Sequence, residues 1–272
     1  MSYHRPFEID AALELAQSPG IRVLAGGTDL YPATEASELA GPVLDLTGVA
    51  DLSGITRTGE GWRIGATTRW ADILAADLPP GCLALQEAAA EVGAVQVQNM
   101  GTIGGNLCNA SPAADGVPPL LALDASVELA STAGRRVLAL ADFLQGPRQT
   151  ALTAGEVVTA VVIPSGAGVS GFAKLGSRTS LVISIAMVAV RLVREGGAIT
   201  GAWAAVGACS PVARRLSGVE AALCARGQVT DQEIGADVAA YLAPIDDIRA
   251  TGAYRAEAAA ELLRRTIDRV LA

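Results

Sequence analysis

Two short stretches concentrate the residues that could hold a ligand. AGGTDL, residues 25–30, follows the strand-like run IRVLA, and GTIGGNLCNASPAAD, residues 101–115, follows the helical run LALQEAAAEVGA. Glycines let backbone N–H groups crowd onto an anion, and successive N–H groups form an anion-binding concavity. Thr28 and Thr102 add hydroxyls, Asn106 adds an amide, and Asp29 and Asp115 are acceptors suited to sugar hydroxyls. Together they suit a pyrophosphate-containing nucleotide gripped from two sides. Singly, each stretch reads first as a turn, because an isolated glycine cluster is a weak signal.

Other chemistries lack their residues. No G-x-G-x-x-G opens a helix after a strand, and no G-x-x-x-x-G-K-[ST] occurs, which disfavours a Rossmann or P-loop site. The only histidine is His4, so a Ser-His-Asp triad or a His-based metal site would have to use it. Cys82, Cys108, Cys209 and Cys224 form no C-x-x-C pair, so no zinc or iron–sulfur site is expected and the thiols read as reduced. Cys108 reads as a small packing residue. Asn109-Ala110-Ser111 matches a glycosylation sequon that an intracellular protein would not use. Arg264, Arg265 and Arg269 read as the solvated face of the last helix. Lys174 is the single lysine against nineteen arginines, which raises the question of what its compact ammonium does that a guanidinium cannot.

The bulk properties narrow the partners. Of 272 residues, 51% are apolar and 18% charged, which indicates a packed globular chain. The net charge of −8, with no basic run, argues against nucleic acid, whose phosphates demand a basic stripe. The first residues carry charges at once and resemble neither a signal peptide nor an anchor. The longest apolar run, LVISIAMVAV, is too short to span a bilayer. The expectation is a cytoplasmic protein without membrane insertion.

The elements that must position the two stretches follow from periodicity and punctuation. A helix is predicted over residues 8–17, stopped by Pro19-Gly20, then strands at IRVLA and VLDLT. SGITRT and GWRIGA read as a strand pair across a Gly-Glu-Gly turn. ATTRWADILAA reads as a helix capped by its threonines, and 83–94 as a second helix. PPLLALDASVELAS and RRVLALADFL read as short strands and connections, and VVTAVVIP as a strand. SGAGVSG, 165–171, is the best domain boundary. Beyond it, strands at GFAKLG, ISIAMVAVRLV and AITGAWAAVGA precede two helices, TDQEIGADVAAYLA and the amphipathic YRAEAAAELLRRTIDRVL, an α+β order.

The ordered pair AGGTDL and TIGGNLCNASPAAD resembles the FAD-binding (medium) subunit of the xanthine dehydrogenase, or molybdenum hydroxylase, family, and is similar to CO dehydrogenase flavoprotein subunits. The resemblance spans the chain through RIGATTRWADI, VVTAVVIP with FAKLGSR, and DIRATGAYRAEAAAELLRR. It implies an α+β protein: a two-lobed FAD-binding domain of the PCMH type, in the vanillyl-alcohol-oxidase-like superfamily, over residues 1–166. Its lobes would be about 1–53 and 54–166. A small α+β domain of the CO dehydrogenase flavoprotein C-terminal type would occupy 167–272. The resemblance places Ala25, Gly26, Gly27, Thr28, Asp29 and Leu30 around the FAD pyrophosphate and ribityl region. Thr102, Gly105, Asn106 and Asn109 would face it, and Asp115 would take cofactor hydroxyls. Val158 falls at a position lining the site, and Val92 stands where relatives carry an aromatic side chain. Lys174 falls on a lysine near the flavin ring, where a cation would favour the anionic reduced flavin.

The resemblance also implies partners: a large subunit with the molybdenum cofactor and a small subunit with two [2Fe–2S] clusters. Electrons would pass from the clusters through this FAD to an external acceptor, and no residue here would touch the organic substrate. A heterotrimer, or a dimer of heterotrimers, is the implied assembly. Two other readings stay open: a free-standing FAD-dependent oxidoreductase of the wider two-lobe superfamily, and a scaffold that keeps the fold without flavin.

Overall fold

The computed structural model describes residues 2–35, 39–59 and 61–272. The first lobe is a small parallel sheet. β1 (Tyr3–His4), α1 (Ile9–Ala16), β2 (Arg22–Leu24) and β3 (Val43–Asp45) follow in order, and the strands pair as β1-β3-β2. The helical spacing of α1 puts Ala12, Leu13 and Ala16 on one face, packed with Leu44, Leu46, Leu52 and Val157. β2 ends at Leu24, which delivers residues 25–30 to the end of the parallel sheet.

The second lobe is built on an antiparallel sheet. It runs β4 (Ile55–Thr58), β5 (Gly61–Gly65), α2 (Trp70–Ala75), α3 (Leu83–Glu91), α4 (Val95–Met100), α5 (Ile103–Asn109) and α6 (Val117–Ala122). Then come β6 (Ser126–Ser131), β7 (Gly134–Ala139), α7 (Leu140–Phe143), the short pair β8 (Leu144–Gly146) and β9 (Gln149–Thr150), and β10 (Val157–Ile163). The five-stranded order is β4-β5-β10-β6-β7. The nearly continuous apolar run of β10 fits its central place, and Ile64, Val127, Leu129, Val158 and Val161 share one core with Trp70, Ile103, Leu107 and Phe143.

Four local expectations need correction. The threonines before α2 do not cap it: Thr67 Oγ1 donates to Leu52 O at 2.8 Å, and Thr68 Oγ1 exchanges hydrogen bonds with Gly54. They tie the turn back to the residues leading into β4, while Arg69 N donates to Asp72 Oδ2. TIGGN is not a loop; Thr102 caps α5 and its Oγ1 accepts from Gly105 N at 3.1 Å. Residues 117–122, read as strand or connection, form α6, because its prolines stand in the first turn where a missing N–H costs nothing. LADF is likewise helical, as α7. The predicted strand-pair turn includes Glu60, which lies outside the described residues.

The C-terminal domain is a four-stranded antiparallel sheet with helices on one face. β11 (Val169–Leu175), β12 (Ala186–Glu195), β13 (Ala198–Gly207) and β14 (Arg214–Arg215) pair in that order. α8 (Ser217–Arg226), which periodicity did not reveal, precedes α9 (Asp231–Tyr241) and α10 (Gly252–Leu271). Burial of both faces of β12 explains why residues 185–190 are apolar throughout. Val188, Val190 and Leu192 pack on the helical side with Val219, Leu223, Leu263 and Ile267. Met187 and Ala189 point the other way, against Ala84, Ala88 and Ala122 of the first domain. The two domains thus share an apolar junction. It is edged by Phe172 N donating to Glu87 Oε2 at 2.6 Å and Trp203 Nε1 donating to Asp124 Oδ2 at 2.5 Å.

Candidate functional site

A cavity of about 640 Å³ opens between the lobes, with Ile183 of the C-terminal domain on its rim. It lies within the size range of small-molecule and cofactor sites. Residues 25–30 line one side. Thr102, Gly105, Asn106, Asn109 and Asp115 line the other, and Val158 and Val92 complete the apolar wall. Two stretches 70 residues apart in sequence therefore converge on one space.

Close backbone approach explains why glycine occupies position 26. A Cβ there would lie 2.0 Å from the carbonyl oxygen of Met100, so the chain beside α4 leaves no room for a side chain. Gly27 has φ +73°, the left-handed region, and a Cβ would also meet the Tyr31 ring at 2.6 Å. These two residues turn the chain so that the N–H groups of Gly26, Gly27, Thr28, Asp29 and Leu30 make no hydrogen bond among the described residues. Successive unmatched donors on residues that line a cavity are the groups from which anion-binding concavities are built.

The opposite stretch works differently from its sequence reading. The N–H groups of Ile103, Gly104, Gly105 and Asn106 already donate to Thr68 O, Ala66 O, Thr102 Oγ1 and Thr102 O. It offers side chains instead of backbone donors. Asn106 lines the cavity, while its Oδ1 is itself buried beside Gly116 and has no partner among the described residues. Asn109 Nδ2 donates to Asp29 Oδ1 at 2.7 Å and clamps the two stretches together.

Asp115 faces the cavity, but both its oxygens are engaged. Oδ2 accepts from Lys174 Nζ at 2.7 Å and Oδ1 from Ser184 Oγ at 2.6 Å. Burial pushes its carboxyl above the usual range, opposed by the Lys174 charge and by these hydrogen bonds. Lys174 is the one proposed cofactor residue that does not line the cavity. Its side chain is 6% exposed, and Nζ also donates to Glu91 O at 3.1 Å, so its charge lies behind Asp115 instead of facing the cavity. Cys108 also departs from its expected role. It is exposed and faces the cavity instead of packing in the core.

Among the wall residues that the sequence reading did not single out are Trp70, Glu156 and Arg148. Trp70 is buried and closes the cavity floor beside Gly101 and Gly116. Glu156 precedes β10 and is held by Arg136 Nε at 2.7 Å. Arg148 comes from the β8–β9 turn, and its Gly-Pro-Arg context was the signal available.

The backbone donors, the polar side chains opposite them and the cavity size fit FAD, and comparison with known proteins agrees. Residues 1–166 match the family described as FAD binding domain in molybdopterin dehydrogenase. Residues 172–270 match the CO dehydrogenase flavoprotein C-terminal domain. The glyceraldehyde dehydrogenase medium chain of Sulfolobus acidocaldarius is 31% identical over 99% of this chain and 98% of its own. The carbon monoxide dehydrogenase medium chain of Afipia carboxidovorans is 34% identical over 99% of this chain and 96% of its own. A solved structure of Cu,Mo-CO dehydrogenase in its cyanide-inactivated form aligns with a TM-score of 0.91 at 30% identity, covering 100% of this chain and 97% of that one. With the two-domain fold and the cleft between its lobes, these matches establish that the chain belongs to the FAD-binding medium subunits of the CO dehydrogenase and xanthine dehydrogenase family of oxidoreductases.

Proposed function

We propose that this chain is the electron-transfer subunit of a heteromeric molybdenum hydroxylase. It would receive electrons from [2Fe–2S] clusters on a small partner and pass them to an external acceptor, while a large partner holds the molybdenum cofactor and the organic substrate. The observation that carries this reading is the convergence on one cavity of residues 26–30, whose N–H groups have no partner among the described residues, with Asn106, Asn109 and Asp115 opposite them. FAD, when bound, supplies redox chemistry able to trade electrons one or two at a time.

The protein's own contribution is binding and environment. Ala25 to Leu30 cradle the pyrophosphate with backbone donors, a fixed array that needs no reorganisation on binding. Thr102 and Gly105 are cofactor-facing residues that also hold the start of α5 in place, so Asn106 presents its amide at a set position. Asn109 holds Asp29. Val92, Val158 and Trp70 exclude water from the wall. Asp115 presents a carboxylate fixed from behind by Lys174 and Ser184, so Lys174 acts on the cofactor through Asp115.

The assembly is proposed as a heterotrimer, or a dimer of heterotrimers, in the cytoplasm. Among the described residues no helix is long and apolar enough to cross a membrane. The test is purification of the chain expressed with its neighbouring coding regions. A yellow complex containing molybdenum and iron, with FAD released on denaturation and an acceptor found by screening, supports the reading. A yellow solitary enzyme with its own substrate would replace it with a free-standing oxidoreductase, and a colourless protein would end it.

A further inference from the structure

Arg148 holds a backbone conformation that its residue type disfavours. Gly146-Pro147-Arg148-Gln149 joins β8 to β9, with Arg148 at φ +59°. Proline at the second position and a positive φ at the third is the type II pattern, and Gly or Asn ordinarily fills that third position. A larger L-residue in the left-handed region costs about 1–2 kcal/mol. Glycine would close this turn without that cost, so the arginine side chain is the feature that needs a reason.

The side chain lines the cofactor cavity. Nη1 donates to Asn109 O at 3.1 Å and to Asn109 Oδ1, and the backbone N–H donates to Ala110 O at 2.9 Å. Nε and Nη2 make no bond among the described residues, and no carboxylate there lies within ion-pair range of the guanidinium. The acids on the same wall are already engaged. Asp115 is ion-paired with Lys174 and Glu156 with Arg136, while Asp29 accepts from the neutral amide of Asn109 and keeps its charge. Among the described residues Arg148 is thus the only cation on the wall, in ion-pair contact with no carboxylate and separated from Asp29 by the Asn109 amide.

We propose that Arg148 is the counter-charge for the negative charge of the bound dinucleotide, aimed by the two oxygens of Asn109 and fixed by a strained turn. Lys174, matched by Asp115, does not serve that purpose directly. The inference rests on the FAD reading above. Two sources of negative charge fit the chemistry: the pyrophosphate, present in every redox state, and the reduced flavin.

The test uses the full chain, freed of flavin and titrated with FAD, and then the assembled complex for the flavin potential. Wild-type, Arg148→Gln and Arg148→Lys are compared. Gln can still donate to Asn109 O but carries no charge. A charge role toward the pyrophosphate predicts that Gln weakens oxidised FAD binding about tenfold or more, that Lys retains most of it, and that the gap narrows with salt. A charge role toward the reduced flavin predicts a lowered potential for Gln with oxidised affinity kept. Gln and Lys both matching wild-type in affinity and potential, or both losing equally, would overturn the proposal and leave Arg148 as a helix-end hydrogen bond. Arg148→Gly supplies the stability control: its apoprotein should unfold at no lower temperature than wild-type, because the turn strain is gone. A wild-type apoprotein that binds no FAD would defeat the functional reading itself, a different result.

Discussion

Lys174 Nζ lies 2.7 Å from Asp115 Oδ2, and this pair joins the C-terminal sheet to the cavity wall of the first domain. Both side chains are nearly buried, so each charge depends on the other. Lys174→Met should therefore destabilise the protein by about 3 kcal/mol, the scale for orphaning one partner of a buried pair. Asp115→Asn in the same chain should recover part of that loss. Denaturant unfolding of both singles and the double variant measures the coupling, and additive losses would mean that the pair is not coupled.

Gly26 is a second sensitive point. Gly26→Ala places a methyl 2.0 Å from the Met100 carbonyl oxygen, so the two stretches must separate. We expect a loss of about 1–3 kcal/mol, typical of overpacking, together with loss of bound flavin. Flavin absorbance per chain and thermal unfolding check the two effects, and full flavin content at unchanged Tm would refute the contact.

The pH response has a definite sign at Glu156. Hydrogen bonds and charge from Arg136 hold its carboxyl down to about 2, against an ordinary 4.5. A carboxylate depressed by folding stabilises the fold when ionised. That contribution is complete above pH 4.5 and fades as pH falls toward 2. Glu156→Gln should lower Tm at pH 7, and the gap to wild-type should close as acid is added. A gap that widened in acid would contradict the assignment.

Arg191 stacks on Trp203, 3.8 Å from the ring centroid, while Arg191 Nη1 donates to Ser165 O in the interdomain linker. Trp203 in turn reaches Asp124 across the junction. Arg191→Met should cost about 1–2 kcal/mol through the lost cation–π contact. It should also change tryptophan fluorescence and raise protease sensitivity near residues 165–168. Unchanged fluorescence and proteolysis would separate this cluster from domain docking.

Strands β11 to β13 of the C-terminal sheet, the central run VVTAVVIP and helices α1, α2, α3, α9 and α10 were legible in the sequence. Their periodicity or apolar continuity reports burial directly. Three of the missed helices carry signals that compete. Glycines mask α5 although Thr102 caps it, prolines mask α6 although they stand in its permitted first turn, and α8 shows little amphipathic contrast.

The sequence by itself determined that two glycine-bearing stretches exist, which residues they carry and that FAD is the group they resemble a site for. Only the tertiary structure decided how each donor is used. Backbone N–H groups of residues 26–30 have no partner among the described residues, whereas those of 103–106 are spent on a helix start and a neighbouring strand end. Likewise the sequence marked Lys174 as singular, but long-range packing matched it to Asp115 and left Arg148 as the cation on the cavity wall. Charge compensation depends on distances between residues far apart in the chain, and local sequence does not encode those distances.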